Sequence, residues 1–142
     1  MRFFPLLIVL LLASFVVNGQ SDAVKKAFTG KFPNAKSAKW QSQSDGYAVS
    51  FKDSDGKKNA LFSKGGEWKQ TTVTIDEDDL PAEVKKSISI QYGRFEIDIV
   101  EKLFRPGKEV AYQTFLDTDD LTMRTVWDAK GKLLESERMA ED

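Results

Sequence analysis

Two helical stripes and a series of alternating runs organise this chain. Val24, Phe28 and Phe32 recur at i, i+4 and i+8, the spacing of one helix face, and Ser21 is placed to cap a helix over residues 22–32. Pro33-Asn34 ends it. Alternation of period two then takes over: Ala38 and Trp40, then Tyr47, Val49 and Phe51 after Asp45-Gly46, then Ala60 and Phe62 after the turn Asp53-Ser54-Asp55-Gly56. Lys64-Gly65-Gly66 turns the chain again, and a fourth strand runs from Trp68 to about Ile75.

Past the acidic stretch Asp76-Glu77-Asp78-Asp79 the pattern repeats. Pro81 stands where a first helical residue is expected, and Val84, Ile88 and Tyr92 copy the first stripe at an offset of 60 residues, with Lys85-Lys86 copying Lys25-Lys26. Phe95, Ile97 and Ile99 alternate as a fifth strand. After Pro106-Gly107, Tyr112, Thr114 and Leu116 take the roles of Tyr47, Val49 and Phe51 at an offset of 65, and Trp127, Gly131 and Leu133 match Phe62, Gly66 and Trp68 at the same offset. So many type-matched positions in register point to an internal duplication, with repeats over 22–75 and 81–138.

The amino-terminal segment reads differently. Arg2 precedes an apolar run from Leu6 to Val17, shorter than the ~20 residues of a stable bilayer span, and Val17 and Gly19 are small enough for the −3 and −1 positions of a signal-peptidase site. Residues 1–19 are therefore expected to be a signal peptide, leaving 142 − 19 = 123 residues that start at Gln20, with 20 basic and 22 acidic side chains. The expected location is periplasmic or secreted, with no membrane attachment after cleavage.

Composition then removes chemistries. The chain has no Cys and no His, so disulfides, thiol nucleophiles, imidazole bases and the usual zinc and haem ligands are all missing, and no cofactor is expected. The net charge of −1 offers no overall field for nucleic acid. Asp53-Ser54-Asp55-Gly56 and Asp117-Thr118-Asp119-Asp120 invite a calcium reading, but an EF-hand frame on the first would put Phe51 at position 1 and Phe62 at position 12. Both read as solvated turns. Ser63-Lys64 lies at a glycine hairpin and lacks the setting of a Ser/Lys nucleophile. No catalytic residue and no metal ligand stands out, and the chain is not expected to be an enzyme.

The combination Val24-x3-Phe28-x3-Phe32-Pro33-x-Ala35, Trp40, Gly46-Tyr47-x-Val49-x-Phe51, Gly66-x-Trp68, Leu80-Pro81 and Tyr92 resembles the PepSY-like exported proteins of Bacteroidetes, similar in fold to the beta-lactamase inhibitory protein. The resemblance spans residues 22–137. It implies an α+β fold, a tandem helix plus four-stranded antiparallel sheet, as one domain over 20–142 whose eight strands form a single sheet with both helices on one face. It also implies a protein-binding role, with inhibition of the bound protein as its extension, and it carries no catalytic motif.

Alternation places Trp40, Tyr47, Phe51 and Phe62 on the packed face. The opposite face mixes polar residues with apolar Leu61, Phe115 and Val126, the composition of a partner surface. The candidate protein-binding face is therefore Lys39, Lys52, Leu61, Phe115, Arg124 and Val126, with the three apolar residues at its centre and the three cations at its rim. The expected partner is a periplasmic or secreted protein or peptide, with an acidic one favoured by the rim. The alternative reading is a small-ligand or calcium-binding protein of envelope sensing.

Overall fold

The stripe Val24–Phe28–Phe32 is what gives the first helix somewhere to go. In the computed structural model, which describes residues 21–140, Val24 and Phe28 lie on α1 (Ser21–Lys31) and Phe32 directly after its last residue; β1 (Lys36–Gln43), β2 (Gly46–Asp53), β3 (Gly56–Ser63) and β4 (Trp68–Ile75) follow. A one-turn 3-10 helix over Glu77–Asp79 leads into α2 (Ala82–Gln91), then β5 (Glu96–Phe104), β6 (Ala111–Asp117), β7 (Thr122–Trp127) and β8 (Leu133–Arg138). The fold is α+β: two α-helices and one eight-stranded sheet in the order β1-β2-β3-β4-β5-β6-β7-β8, with consecutive strands antiparallel. The segment read as a signal peptide lies outside the described residues.

The chain divides into two compact units, one ending at Gln70 and one beginning at Thr71. In the first, Val24 and Phe28 pack on Val49, Phe51, Ala60 and Phe62, and Trp40, Tyr47 and Trp68 close the margin. Phe28 is the centre of an aromatic cluster, with edge-on ring contacts to Trp40, Phe51 and Phe62 at centroid separations of 5.2, 5.1 and 6.3 Å, the geometry the ring quadrupoles favour. Trp68 receives the Lys31 ammonium over its ring at 3.7 Å. All four aromatics assigned to the packed face belong to it.

In the second unit, Leu80, Val84 and Ile88 pack on Val100, Leu116 and Trp127, with Tyr92, Phe95, Ile97, Tyr112, Met123 and Leu133 around them. Trp127 is fully buried, so its indole N–H needs an internal acceptor. It donates to Thr125 Oγ1 at 2.9 Å, and the Thr125 and Thr114 hydroxyls bond each other across β6 and β7.

The turns that hold each helix to its strands recur at the two sequence offsets. Gly66 has φ +90°, and a Cβ there would meet Ala23 O at 2.9 Å; Gly131 has φ +84°, and a Cβ there would collide with Glu83 O. Helix residues 23 and 83 differ by 60, turn residues 66 and 131 by 65. Only glycine allows both the left-handed backbone and this close approach. The same turn is closed by Ser63 N to Glu67 O at 2.8 Å and by Asp128 N to Lys132 O at 3.0 Å.

Two local expectations are corrected. Pro81 caps α2 from outside, with an extended ψ of 141°, because the residue after Leu80 must still turn the chain into the helix. Ile99 does not share a face with Ile97. A bulge between them pairs Ile97 with Leu116 and Ile99 with Phe115, and a single extra residue reverses the parity of a strand. Ile97 thus faces α2, and Ile99 is 43% exposed on the other side.

Candidate functional site

The six candidate residues fall three in each unit, on the sheet face away from that unit's helix. In the first unit, strand register sets three cross-strand rows on this face: Gln41–Ala48–Leu61, Lys39–Ser50–Asn59 and Lys36–Lys52–Lys57. Lys39 and Lys52 are exposed and Leu61 is half-buried. Ser50 donates to Asn59 Oδ1 at 2.6 Å, which ties the middle row together. The bulge between Lys36 and Lys39, with Ser37 at φ +58°, returns both lysines to one face although they are three residues apart.

The acidic turn beside this face is neutralised from the other side. Lys58 points toward the helix-covered face, since Phe51 is its strand partner, and pairs with Asp53 at 2.8 Å and Asp55 at 3.3 Å. Lys58, by its hydrogen bond, holds the Asp53 carboxyl below the usual carboxylate range. Burial alone would lower the Lys58 ammonium, yet its bonds to Asp53 and Asp55 outweigh that and raise it. These carboxylates are committed to a lysine, and among the described residues no group of three acidic side chains is placed to hold a metal ion. At the second acidic turn, Thr122 donates to Asp117 at 2.6 Å.

In the second unit the rows are Ile99–Phe115–Arg124–Glu137 and Glu101–Gln113–Val126–Glu135. Phe115 is half-buried beside exposed Ile99. Arg124 Nε donates to Gln113 Oε1 at 2.8 Å and its Nη2 to Glu135 Oε2 at 3.0 Å. Gln113 in turn donates to Glu101 Oε1 at 3.1 Å, and Arg105 grips Glu135 with Nη1 and Nη2 of its guanidinium. The Arg105 hydrogen bond first, and Arg124 second, hold Glu135 below its usual range against the opposing effect of burial.

Val126 is corrected as a contact residue. It was expected on the open surface, but it is 0% exposed and forms a small core with Leu103 and Ala111. Its cross-strand neighbours are Gln113 and Glu135, and Arg124 bonds both, so the polar chain spans it. A long guanidinium stem covers apolar surface while its head stays bonded. Alternation alone could not show this, because Arg124, on the same strand, is held over Val126 by partners from β6 and β8. The reading also passed over Ile99, Glu101, Arg105 and Glu135, and it missed Lys36 and Lys57. Lys57 had a visible signal: a two-residue turn at Ser54-Asp55 pairs Asp53 with Gly56 and therefore Lys52 with Lys57.

Residues 45–135 match the model of a family described as "Putative beta-lactamase-inhibitor-like, PepSY-like". Solved structures share the fold at low sequence identity. A BLIP-like protein from Bacteroides fragilis superposes with a TM-score of 0.72 at 18% identity, covering 85% of this chain and 87% of that one. A DUF2874 family protein from Bacteroides ovatus gives 0.73 at 21% identity, covering 82% and 85%. A protein from Bacteroides eggerthii named as "putative periplasmic" gives 0.73 at 16% identity, covering 82% and 87%. Comparison with curated proteins yields no significant match. With the helix-plus-four-strand order present twice and the family model matched from residue 45 through residue 135, the chain belongs to the PepSY-like, beta-lactamase-inhibitor-like family.

Proposed function

We propose that this is an exported, non-enzymatic protein-binding domain that engages a periplasmic or secreted protein through the sheet surface that each unit's helix leaves uncovered, and that inhibition is the form this binding takes. The observation that carries the reading is the composition of that surface in each unit. Half-buried Leu61 in one unit, and exposed Ile99 with half-buried Phe115 in the other, lie among charged side chains, and an apolar centre with a charged margin is how partner surfaces are built. Membership of a beta-lactamase-inhibitor-like family supports binding as the activity, and the neighbour named as periplasmic supports the compartment. Among the described residues no helix is long and apolar enough to cross a membrane.

A photo-crosslinking residue placed at Leu61, at Phe115 or at Ile90, which is 72% exposed on α2, tests the reading in cells that export the protein. Cross-links to one protein species from positions 61 and 115, but not from 90, are expected. Cross-linking confined to Ile90 would place the contact on the helix and overturn it.

A further inference from the structure

The near-neutral chain is made of two oppositely charged halves. Residues 21–70 carry ten Lys against five Asp or Glu, a net of +5, whereas residues 71–142 carry ten Lys or Arg against seventeen Asp or Glu, a net of −7. The positive charge of the first half is not spread evenly. Lys36, Lys52 and Lys57 are directly opposed across β1, β2 and β3, with Lys39 on the next row, and all four are exposed.

Adjacent strands lie ~4.8 Å apart, so the three opposed lysines start from a line of that spacing, and like charges directly opposite destabilise a sheet. No intramolecular side-chain hydrogen bond or ion pair engages any of the four among the described residues. The contrast is with the second unit, on the face away from its own helix, where Arg105 and Arg124 are bonded to Glu135. Lysine on an exposed edge strand guards against edge-to-edge pairing, which accounts for Lys36 and Lys39 on β1. It does not account for Lys52 and Lys57, which are on inner strands.

We infer that this lysine row is the docking site for an acidic segment of a partner protein, one that presents carboxylates alternating with apolar side chains. This rests on the protein-binding reading above and names the half of the chain and the partner chemistry. Charge complementarity selects an anionic partner. Ala48 and Leu61, half-buried two rows away on the same face, select a polypeptide over a phosphate or sulfate polymer, which has no apolar group to set against them. At the end of the row, Lys36 and Lys52 also line a cleft of about 550 Å³ together with Pro33, Asn34, Ala35, Ser54 and Asp53, large enough to admit an acidic side chain, and the Asp53 carboxylate is already paired with Lys58.

The test uses the chain from Gln20 onward and, as probe, a short blocked peptide of alternating Glu and Leu, with its Gln-for-Glu analogue and heparin as comparators. Binding is followed by peptide anisotropy at rising salt. The Glu peptide is expected to bind, to weaken with salt, and to weaken about tenfold or more in Lys36→Glu/Lys52→Glu/Lys57→Glu. Lys85→Glu/Lys86→Glu on α2 is expected to leave binding unchanged. If the charge reversals perturb folding by circular dichroism, the Lys→Gln triple replaces them, with the same direction expected. Absence of binding, equal binding of the Gln analogue, or undiminished binding by the lysine variants overturns the inference. Heparin binding that the reversals abolish, with no peptide binding, assigns the row to a polyanion and overturns it as well. None of these outcomes touches the cross-linking from Leu61 and Phe115, so failure of the lysine row and failure of the protein-binding reading are told apart.

Discussion

Val126 and Arg124 illustrate how one residue decides what its neighbour can do. Val126 has no exposed surface because Arg124 is bonded to Gln113 and Glu135 on either side of it. Val126→Ala should therefore cost about 2 kcal/mol, from lost methyl burial plus the cavity left behind, measured by urea unfolding. Arg124→Ala leaves a buried amide oxygen without its donor and a partly buried carboxylate with one fewer partner, and should cost ~1–3 kcal/mol by the same measurement. Lys52→Gln points the other way. Removing a charge flanked by Lys36 and Lys57 should raise stability by up to ~1 kcal/mol at low ionic strength, and the gain should fade with salt as the repulsion is screened.

At the scale of elements, each helix is held to its strands by one apolar stripe and one glycine turn. Phe28 carries the first stripe, so Phe28→Ala should cost ~3–5 kcal/mol as a buried aromatic truncation. Gly131→Ala forces a side chain into the left-handed region and into Glu83 O, which the α2 backbone cannot yield without shifting. Gly107 also has positive φ, +67°, but a Cβ there meets nothing within 4 Å. Gly107→Ala should then lose only the ~1–2 kcal/mol of backbone strain, and Gly131→Ala clearly more. Equal losses at the two positions, read by chemical denaturation, would show that the α2 contact is slack. The bulges at Lys36/Lys39 and Ile97/Ile99 matter at the same scale, because each decides which side chains of the first strand in its unit reach the uncovered face.

For the whole molecule, stability against pH follows from the groups whose ionisation is shifted. Asp53 and Glu135 lie below their usual 3.8 and 4.5 in the folded chain, so their contribution is complete above those values and is lost as pH falls through the lower folded ones. Lys58 lies above its usual 10.5, so its contribution is complete below that value and is lost as pH rises through the higher folded one. A thermal-melting profile should show a plateau between these limits with an acid and an alkaline shoulder. Lys58→Met should remove the Lys58 part of the alkaline shoulder and the Asp53 part of the acid one, while leaving the part that Glu135 supplies. With no Cys in the chain, the profile should not respond to reductant.

Much of this architecture is local in origin and was legible in the residue pattern. Stripes at i, i+4 and i+8 place helices, alternation places strands, and Gly66 and Gly131 mark the turns, because each signal depends on neighbours a few positions away. Two elements were misread where an extra residue changed parity or a cap replaced a first turn, at Ile99 and Pro81. The uncovered face was legible as a face, but not as a surface. Whether Val126 is open or sealed depends on Arg124 meeting side chains from β6 and β8, and whether Lys52 is lone or one of a row depends on pairing with Lys36 and Lys57. Those facts are set by the register of neighbouring strands, which joins residues five to sixteen positions apart. Local residue pattern sets the elements, their repetition and the side-chain types available for chemistry; which side chains meet is set on folding, since burial and charge pairing are properties of neighbours that the chain brings together when it folds.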